Sequence, residues 1–376
     1  MKNLKCFSKH AGVLIGTALF TGFISSALLA NPNLVDNGLS PVRSPQENSD
    51  YGIRNGSALV VPIPFSNPAI GAGLSLGAGY LFQLSPEADT SFVGLGAMGS
   101  DNGSQAYGIA ANLSFGNGWG FNLALAEADI RYDLFFGSLK LPIKQDGELF
   151  NGGLTYAVTE TNTFGLNLRY LNTSIGLNTG RTSIPDDLLP DLELELGSVG
   201  VSYEWDLRDD SDYPTNGSRV SAAVNRGFSL SEGSRAYNYA SLNFDAYRTV
   251  GEEKVVAGRL STCAASSDAP FFDKCSIGFT DGLRGFNPTQ FYDTRLVSAQ
   301  AEYRQRLGNR FGFVAFAGVG WTGSEFGSLT DNGDRIAGGV GVRYRVSQKF
   351  PVDLSVDFST NNESEEFLYI FVGQRF

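Results

Sequence analysis

The sequence predicts an all-β protein: a 16-stranded antiparallel transmembrane β-barrel of outer-membrane type, preceded by a cleaved signal peptide. Three observations predict it. Beyond residue 30 the chain alternates apolar and polar residues with a period of two, in segments of about ten residues separated by Gly, Asn, Asp and Pro. Aromatic residues stand near the ends of many segments (Tyr170, Tyr203, Trp205, Trp321, Tyr344), where a strand crossing a bilayer meets its interfaces. The chain also finishes on such a segment, EFLYIFVGQRF, whose last residue is Phe376.

Residues 1–30 have the layout of a secretory signal. Lys2, Lys5 and Lys9 form a basic head, an apolar run begins near Ala11, and small residues surround Ala27 and Ala30. Cleavage fits after Ala27, with Ser25 three residues before the cut, or after Ala30; the alternative is an uncleaved anchor, since the run is nearly long enough to span. Removal takes three lysines and no acid, moving the net charge from −11 to −14. An acidic exported chain lacks the basic patches that phosphates need, which excludes nucleic acid as a partner. The only histidine, His10, leaves with the signal. No Ser–His or Cys–His pair and no His-bearing zinc site can then be built, and no carboxylate pair is marked for acid–base work. We therefore expect no enzyme, no cofactor and no metal.

Sixteen segments read as strands: 57–65, 70–83, 90–98, 105–115, 118–134, 145–159, 162–177, 192–206, 217–229, 236–250, 254–266, 296–307, 310–321, 334–346, 350–360 and 366–376. The face-by-face pattern is plain in the later ones. Phe311, Phe313, Ala315, Ala317, Val319 and Trp321 share one face, opposite Gly312, Gly318 and Gly320. Val352, Leu354, Val356 and Phe358 oppose Asp353, Ser355, Asp357 and Ser359. A soluble β-sandwich gives the same alternation with the apolar face as its core. The aromatic caps, the terminal strand, and polar faces that mix ionisable with small residues favour a barrel around a crowded wet lumen. An even strand count places both termini in the periplasm. The barrel then occupies 57–376, a polar lead-in 31–56, and the longest unpaired stretch, about 267–295, is the sixth extracellular loop.

Cys6 is lost with the signal, leaving Cys263 and Cys275, 12 positions apart. In an oxidising compartment such a pair reads as a structural disulfide, and no further ligands are present for a redox or metal role. The loop also carries Arg284, Gly285 and Phe286, close in sequence to a strand bearing Glu302, Arg304 and Arg306 on one face. A solvated Arg284, with Glu302 bonded to Arg304 or Arg343, is one reading. An arginine turned inward to a carboxylate is the other.

Four passages weigh on that choice: PIPFSNPAIGAGLSLGAGYLF from Pro62, DLRDDSDYPTNGSRV from Asp206, PFFDKCSIGFTDGLRGF from Pro270, and the last two strands. Together they resemble the barrel of the BamA/TamA outer-membrane assembly family, also called the bacterial surface antigen family. The resemblance implies that the long loop folds back into the barrel with Arg284 at its tip and Glu302 as its lumenal partner. Asp281, Asp293 and Arg304 support it, and Tyr369, Phe371 and Phe376 stand in a C-terminal insertion signal. A guanidinium in a narrow lumen needs a carboxylate in bidentate geometry, and Gly285 permits the tight turn beside it. Two departures stand out. The family's usual Asp on the thirteenth strand is replaced by Phe316, so the latch has lost one acid. Only about 26 residues separate the signal from the first strand, too short for a folded domain, so the resemblance is to a member lacking POTRA domains.

The implied function is insertion or translocation of polypeptides through a seam between strands 1 and 16, where Pro62 and Pro64 remove two N–H donors. Its partners would be outer-membrane lipid, unfolded outer-membrane or secreted clients, and a separate periplasmic subunit. A passive pore and a structural or surface-interaction barrel are the alternatives.

Overall fold

Alternation of this kind closes on itself. In the computed structural model, which describes residues 52–137, 139–178, 192–211, 213–231, 235–345 and 353–375, sixteen antiparallel strands form a closed barrel. They are β1 Ser57–Asn67, β2 Gly71–Gln83, β3 Thr90–Ser100, β4 Gln105–Ser114, β5 Trp119–Phe136, β6 Leu139–Thr159, β7 Asn162–Leu177 and β8 Leu192–Asp206. The second half comprises β9 Gly217–Ser229, β10 Ala236–Gly251, β11 Lys254–Ala265, β12 Arg295–Leu307, β13 Phe311–Gly323, β14 Arg335–Arg345, β15 Asp353–Asn361 and β16 Glu366–Val372. Each strand pairs with its sequence neighbours, and β1 with β16. The proposed signal and residues 31–51 of the lead-in lie outside the described residues. Ile53–Asn55 form a short 3-10 turn, tied to β2 where the Tyr80 hydroxyl donates to the Ile53 carbonyl at 2.7 Å.

The apolar faces point outward. On β13, Phe311 and Phe313 are exposed while Val314 and Phe316, on the other face, are buried inside. Near the short-turn rim, outward aromatic rings meet in pairs: Trp119 with Tyr156 at 4.7 Å, Phe164 with Tyr203 at 5.0 Å, and Phe311 with Tyr344 at 5.3 Å. An exposed apolar wall edged by such rings is the surface of a barrel that meets lipid, because water would penalise it and a bilayer does not.

Two strands differ from the sequence reading. β6 begins at Leu139 rather than near 145, and pairs with β5 up to Phe136↔Leu139. Gly137 and Pro142, both turn-favouring residues, lie in the stretch between the two sequence-read segments. Pro142 is tolerated because its carbonyl, and so its missing N–H, faces the β7 side near the end of β7, where Asn178 donates to Pro142 O at 2.8 Å. At the other end of the chain, β16 stops at Val372 instead of running to 376. Gly373 adopts φ +92°, a left-handed conformation open to glycine. The chain then turns inward, and Ser355 Oγ donates to the Gly373 carbonyl at 2.7 Å.

The interior is divided. The inner faces of β5–β8 at the long-loop rim are apolar, with Ile130, Tyr132, Ile143 and Ile175 packed against Phe272 and Phe279 of the long loop. The inner faces of β9–β15 carry buried charge: Asp245, Arg259, Glu302, Arg304, Arg343 and Asp357. The wall is also uneven around its circumference. β1 pairs with β2 along its whole length, Ser57↔Leu81 to Asn67↔Gly71, but meets β16 at a single register position, Ser66↔Ile370.

Candidate functional site

The segment between β11 and β12 enters the lumen and is fastened at three levels. At the rim, Cys263 of β11 and Cys275 form a disulfide with Cα atoms 5.7 Å apart. Beside it Cys275–Ser276 pair with Tyr292–Asp293, so the loop leaves and returns as a short antiparallel ribbon. Asp273, at the end of a 3-10 turn, then accepts from Arg169 Nη1 of β7 at 2.9 Å and from the Tyr237 hydroxyl of β10. Burial pushes the Asp273 carboxyl up, and the adjacent Arg169 charge pulls it back.

Deeper in, Asp281 shapes the descent. Its Oδ1 accepts from the N–H groups of Gly278 at 2.9 Å and Leu283 at 3.0 Å, and its backbone carbonyl accepts from Gln300 Nε2 at 2.8 Å. Burial pushes this carboxyl up as well, and those hydrogen bonds only partly offset the effect. Arg284 follows at the tip.

Arg284, Glu302 and Asp357 are 2%, 1% and 0% exposed, so the tip is sealed from solvent. Its guanidinium does not fork onto one carboxylate as the sequence reading supposed. It bridges two: Nη2 donates to Glu302 Oε2 on β12 and Nη1 to Asp357 Oδ2 on β15. Each acid uses its other oxygen for a wall arginine. Arg304 Nε donates to Glu302 Oε1 at 2.7 Å, and Arg343 Nη1 to Asp357 Oδ1. Three guanidiniums and two carboxylates alternate across the lumen with a net charge of +1. Buried charges of this kind persist only when paired and hydrogen-bonded.

Phe316 explains the departure on β13. Its ring lies 3.5 Å from the Arg284 guanidinium carbon and supplies a π face where the family's acid would stand. The second carboxylate comes instead from Asp357, two strands further round. Gly285 has φ +113°, and a Cβ there would lie 2.6 Å from the Ala337 Cβ, so only glycine reaches this depth. A Cβ on Gly341 would likewise strike Asp357 Oδ1, which leaves that place open for the ion pair.

The remaining sequence-marked residues divide. Phe286 is buried and meets Phe291 edge-on at 5.6 Å. Asp293 is not brought to the tip; it accepts from the Thr294 N–H at 2.7 Å and shapes the loop's return. Tyr369 and Phe371 face the lumen: Tyr369 is buried against Gly285, and Arg343 and Arg375 lie 5.4 and 4.7 Å from the Phe371 ring. Phe376 lies outside the described residues. The DLRDDSDYPTNG passage forms the turn between β8 and β9. There Asp209 Oδ1 accepts from the N–H groups of Thr215 at 2.9 Å and Asn216 at 3.0 Å. Burial alone would raise the Asp209 carboxyl, but these bonds and the Thr215 hydroxyl hold it below its usual range. Tyr213 of this turn lies 4.4 Å from the Arg306 guanidinium carbon, with Arg304 at 5.9 Å. Sequence reasoning missed Asp357, the Arg169–Asp273 pair and the inward Tyr213.

Fold and site together define a membrane β-barrel whose long loop is ion-paired inside its own lumen. The chain belongs to the Omp85 superfamily, whose domain matches residues 93–376. Among solved structures it is similar to BamA from Haemophilus ducreyi lacking POTRA domains 1–3, with a TM-score of 0.59 and 17% identity over 85% of this chain and 70% of that one. CdiB from Escherichia coli gives 0.56 and 14% over 88% and 66%, and CdiB from Acinetobacter baumannii 0.55 and 12% over 85% and 59%. The chain thus spans less than two thirds of either CdiB. No curated protein sequence matches it.

Proposed function

We propose that the protein is a non-enzymatic barrel of the bacterial outer membrane that inserts or translocates polypeptides through the β1–β16 seam. The observation that supports this reading is the seam itself. Beyond Ser66↔Ile370 and the Ser66 hydroxyl donating to Leu368 O at 2.9 Å, neither edge is laddered to the other. Continuing that register would set Pro64 opposite Val372 and Pro62 opposite Gln374. Proline offers no N–H, and β16 has already ended. An unpaired strand edge is a template for another strand, so an opened seam would pair with an extended client. The clients would be unfolded outer-membrane or secreted proteins, the surrounding solvent outer-membrane lipid, and delivery the task of a separate periplasmic subunit. Likeness to the BamA and CdiB barrels supports the reading at the level of fold.

A passive pore is disfavoured by the filled lumen: the loop packs its long-loop side, and Tyr213 reaches under Arg306 on the other. The test is the folding rate of a urea-unfolded outer-membrane protein on liposomes containing this barrel, against empty liposomes. Acceleration is expected. No acceleration by correctly folded barrel would overturn autonomous insertion.

A further inference from the structure

Between β4 and β9 two neighbouring rows of the inner wall carry no charge. Asn112, Asn122, Asn167 and Asn225 stand in one continuous cross-strand row, interleaved with Gly153 and Gly200. All four face the lumen, because exposed Ile109, Leu125, Leu166 and Val224 mark the opposite face of the same strands. The next row towards the short turns runs Ser114, Gly120, Thr155, Gly165, Ser202 and Ala223. The glycines keep this surface flat. A Cβ on Gly153 would strike the Asn122 carboxamide, and one on Gly200 the Asn225 carboxamide. Gly120 and Gly165 lie in the same way against the Thr155 and Ser202 hydroxyls. These polar groups therefore lie across the bare backbone of an adjacent strand, and the two rows form a shallow trough.

Its two ends differ. Arg169, two residues above Asn167 on the same face, carries the Asp273 anchor of the loop, and Tyr237 lies against Gly227, two residues above Asn225. Asn122 is three residues from Trp119, the first residue of β5, at the short-turn rim. The trough thus opens at the short-turn mouth and ends beneath the loop. At that inner end Asn225 is 5% exposed, and neither its Oδ1 nor its Nδ2 has a hydrogen-bond partner among the described residues. A buried carboxamide left so is costly, and a group that both donates and accepts is matched by another amide. Every polypeptide backbone supplies such amides, whatever its sequence.

We propose that this trough docks an extended polypeptide backbone entering from the short-turn mouth. Asn122 and Asn167 meet it first, and a turn of the Asn225 side chain off Gly200 adds a third carboxamide. Five strand spacings from β4 to β9 make about 24 Å, room for about seven extended residues. The asparagines stand one or two strands apart, about 5 or 10 Å, against a repeat of about 6.7 Å along an extended chain. No register is preferred, so the segment can slide. The lack of charge in both rows makes the site indifferent to the side chains carried. An oligosaccharide would want an aromatic ring to stack on, and neither row offers one. The biological role of the site rests on the insertion reading, but docking itself is measurable without insertion.

The test is binding of a short, uncharged Gly-Ser-Val peptide, carrying an uncharged fluorophore, to the full chain in lipid nanodiscs, read by anisotropy. The same peptide with alternate backbone nitrogens methylated and a linear maltooligosaccharide are the comparison probes. The plain peptide should bind, and methylation should weaken it about three- to tenfold for each hydrogen bond lost. Asn122→Ala with Asn167→Ala should weaken the plain peptide about tenfold or more. Asn167→Asp keeps the side-chain size and should bind a lysine-containing analogue more tightly than wild type does. No binding, or equal binding of plain and methylated peptide, would overturn backbone docking, and tighter binding of the sugar would assign the trough to another ligand. Wild-type affinities in the folded variants would overturn its location; should the double variant not fold, Asn167→Asp decides. Because the peptide is bound and not inserted, failure here leaves the insertion reading standing. A barrel that docks peptide yet accelerates no folding would sink insertion alone.

Discussion

Arg284 and Asp357 lie 73 positions apart in the chain and share one buried ion pair, with Glu302 completing the bridge. A loop that begins at the outer rim is thereby joined to the fifteenth strand deep in the lumen. The pairing decides how much the loop tip contributes to the barrel's integrity.

Removing the guanidinium leaves Glu302 and Asp357 each with only its wall arginine, Arg304 or Arg343. Arg284→Ala should lower the free energy of unfolding by about 3–5 kcal/mol, the scale of two buried hydrogen bonds between charged groups. Arg284→Lys should fall between, since one ammonium cannot present a planar fork to both acids. Urea titration of the lipid-embedded protein, followed by heat-modifiable gel mobility, measures both.

Phe316→Leu keeps an apolar side chain but removes the π face over Arg284. A loss of about 2 kcal/mol is expected by the same assay, the scale of a desolvated cation–π contact. Wild-type stability would mean that the two carboxylates suffice.

Asp281 gives a pH signature. Its folded-state carboxyl is raised, so the charged form is disfavoured in the fold, and the contribution it makes when protonated is lost as pH rises through the folded value. Asp281→Asn keeps the acceptor for Gly278 and Leu283 without the charge. The variant should be as stable as wild type or more so at neutral pH, with its advantage shrinking as the medium is acidified. An advantage that grows on acidification would contradict the assignment.

Cys263→Ser with Cys275→Ser opens a 12-residue separation and should cost about 3 kcal/mol. Deleting residues 278–286 should turn a barrel of low conductance in planar bilayers into an open pore. High conductance in wild type would remove the argument from a filled lumen.

The strand pattern was legible because a period of two survives in most wall segments; the start of β6 was not, because Gly137 and Pro142 imitate a break. Glu302 could be found from the Arg-Gly-Phe loop and the strand that follows it. Asp357 was visible as an inward acid on β15, but whether it stands at the height of Arg284 depends on strand tilt and stagger, which no single strand reveals. Arg169 was likewise inward on β7, with its partner 104 residues away on a loop. Tyr369 was ambiguous for a different reason. Both faces of EFLYIFV are apolar or aromatic, so alternation could not say which one meets the lumen.

The most direct measurement joins the seam to the activity. Ser66→Cys and Ile370→Cys occupy the one paired position between β1 and β16, where oxidation would lock it shut. Liposomes carrying the oxidised variant should fold a urea-unfolded outer-membrane protein no faster than empty liposomes. Reduction should restore the acceleration, with wild type active under the same reductant as the control. Equal acceleration with the seam locked would contradict the account.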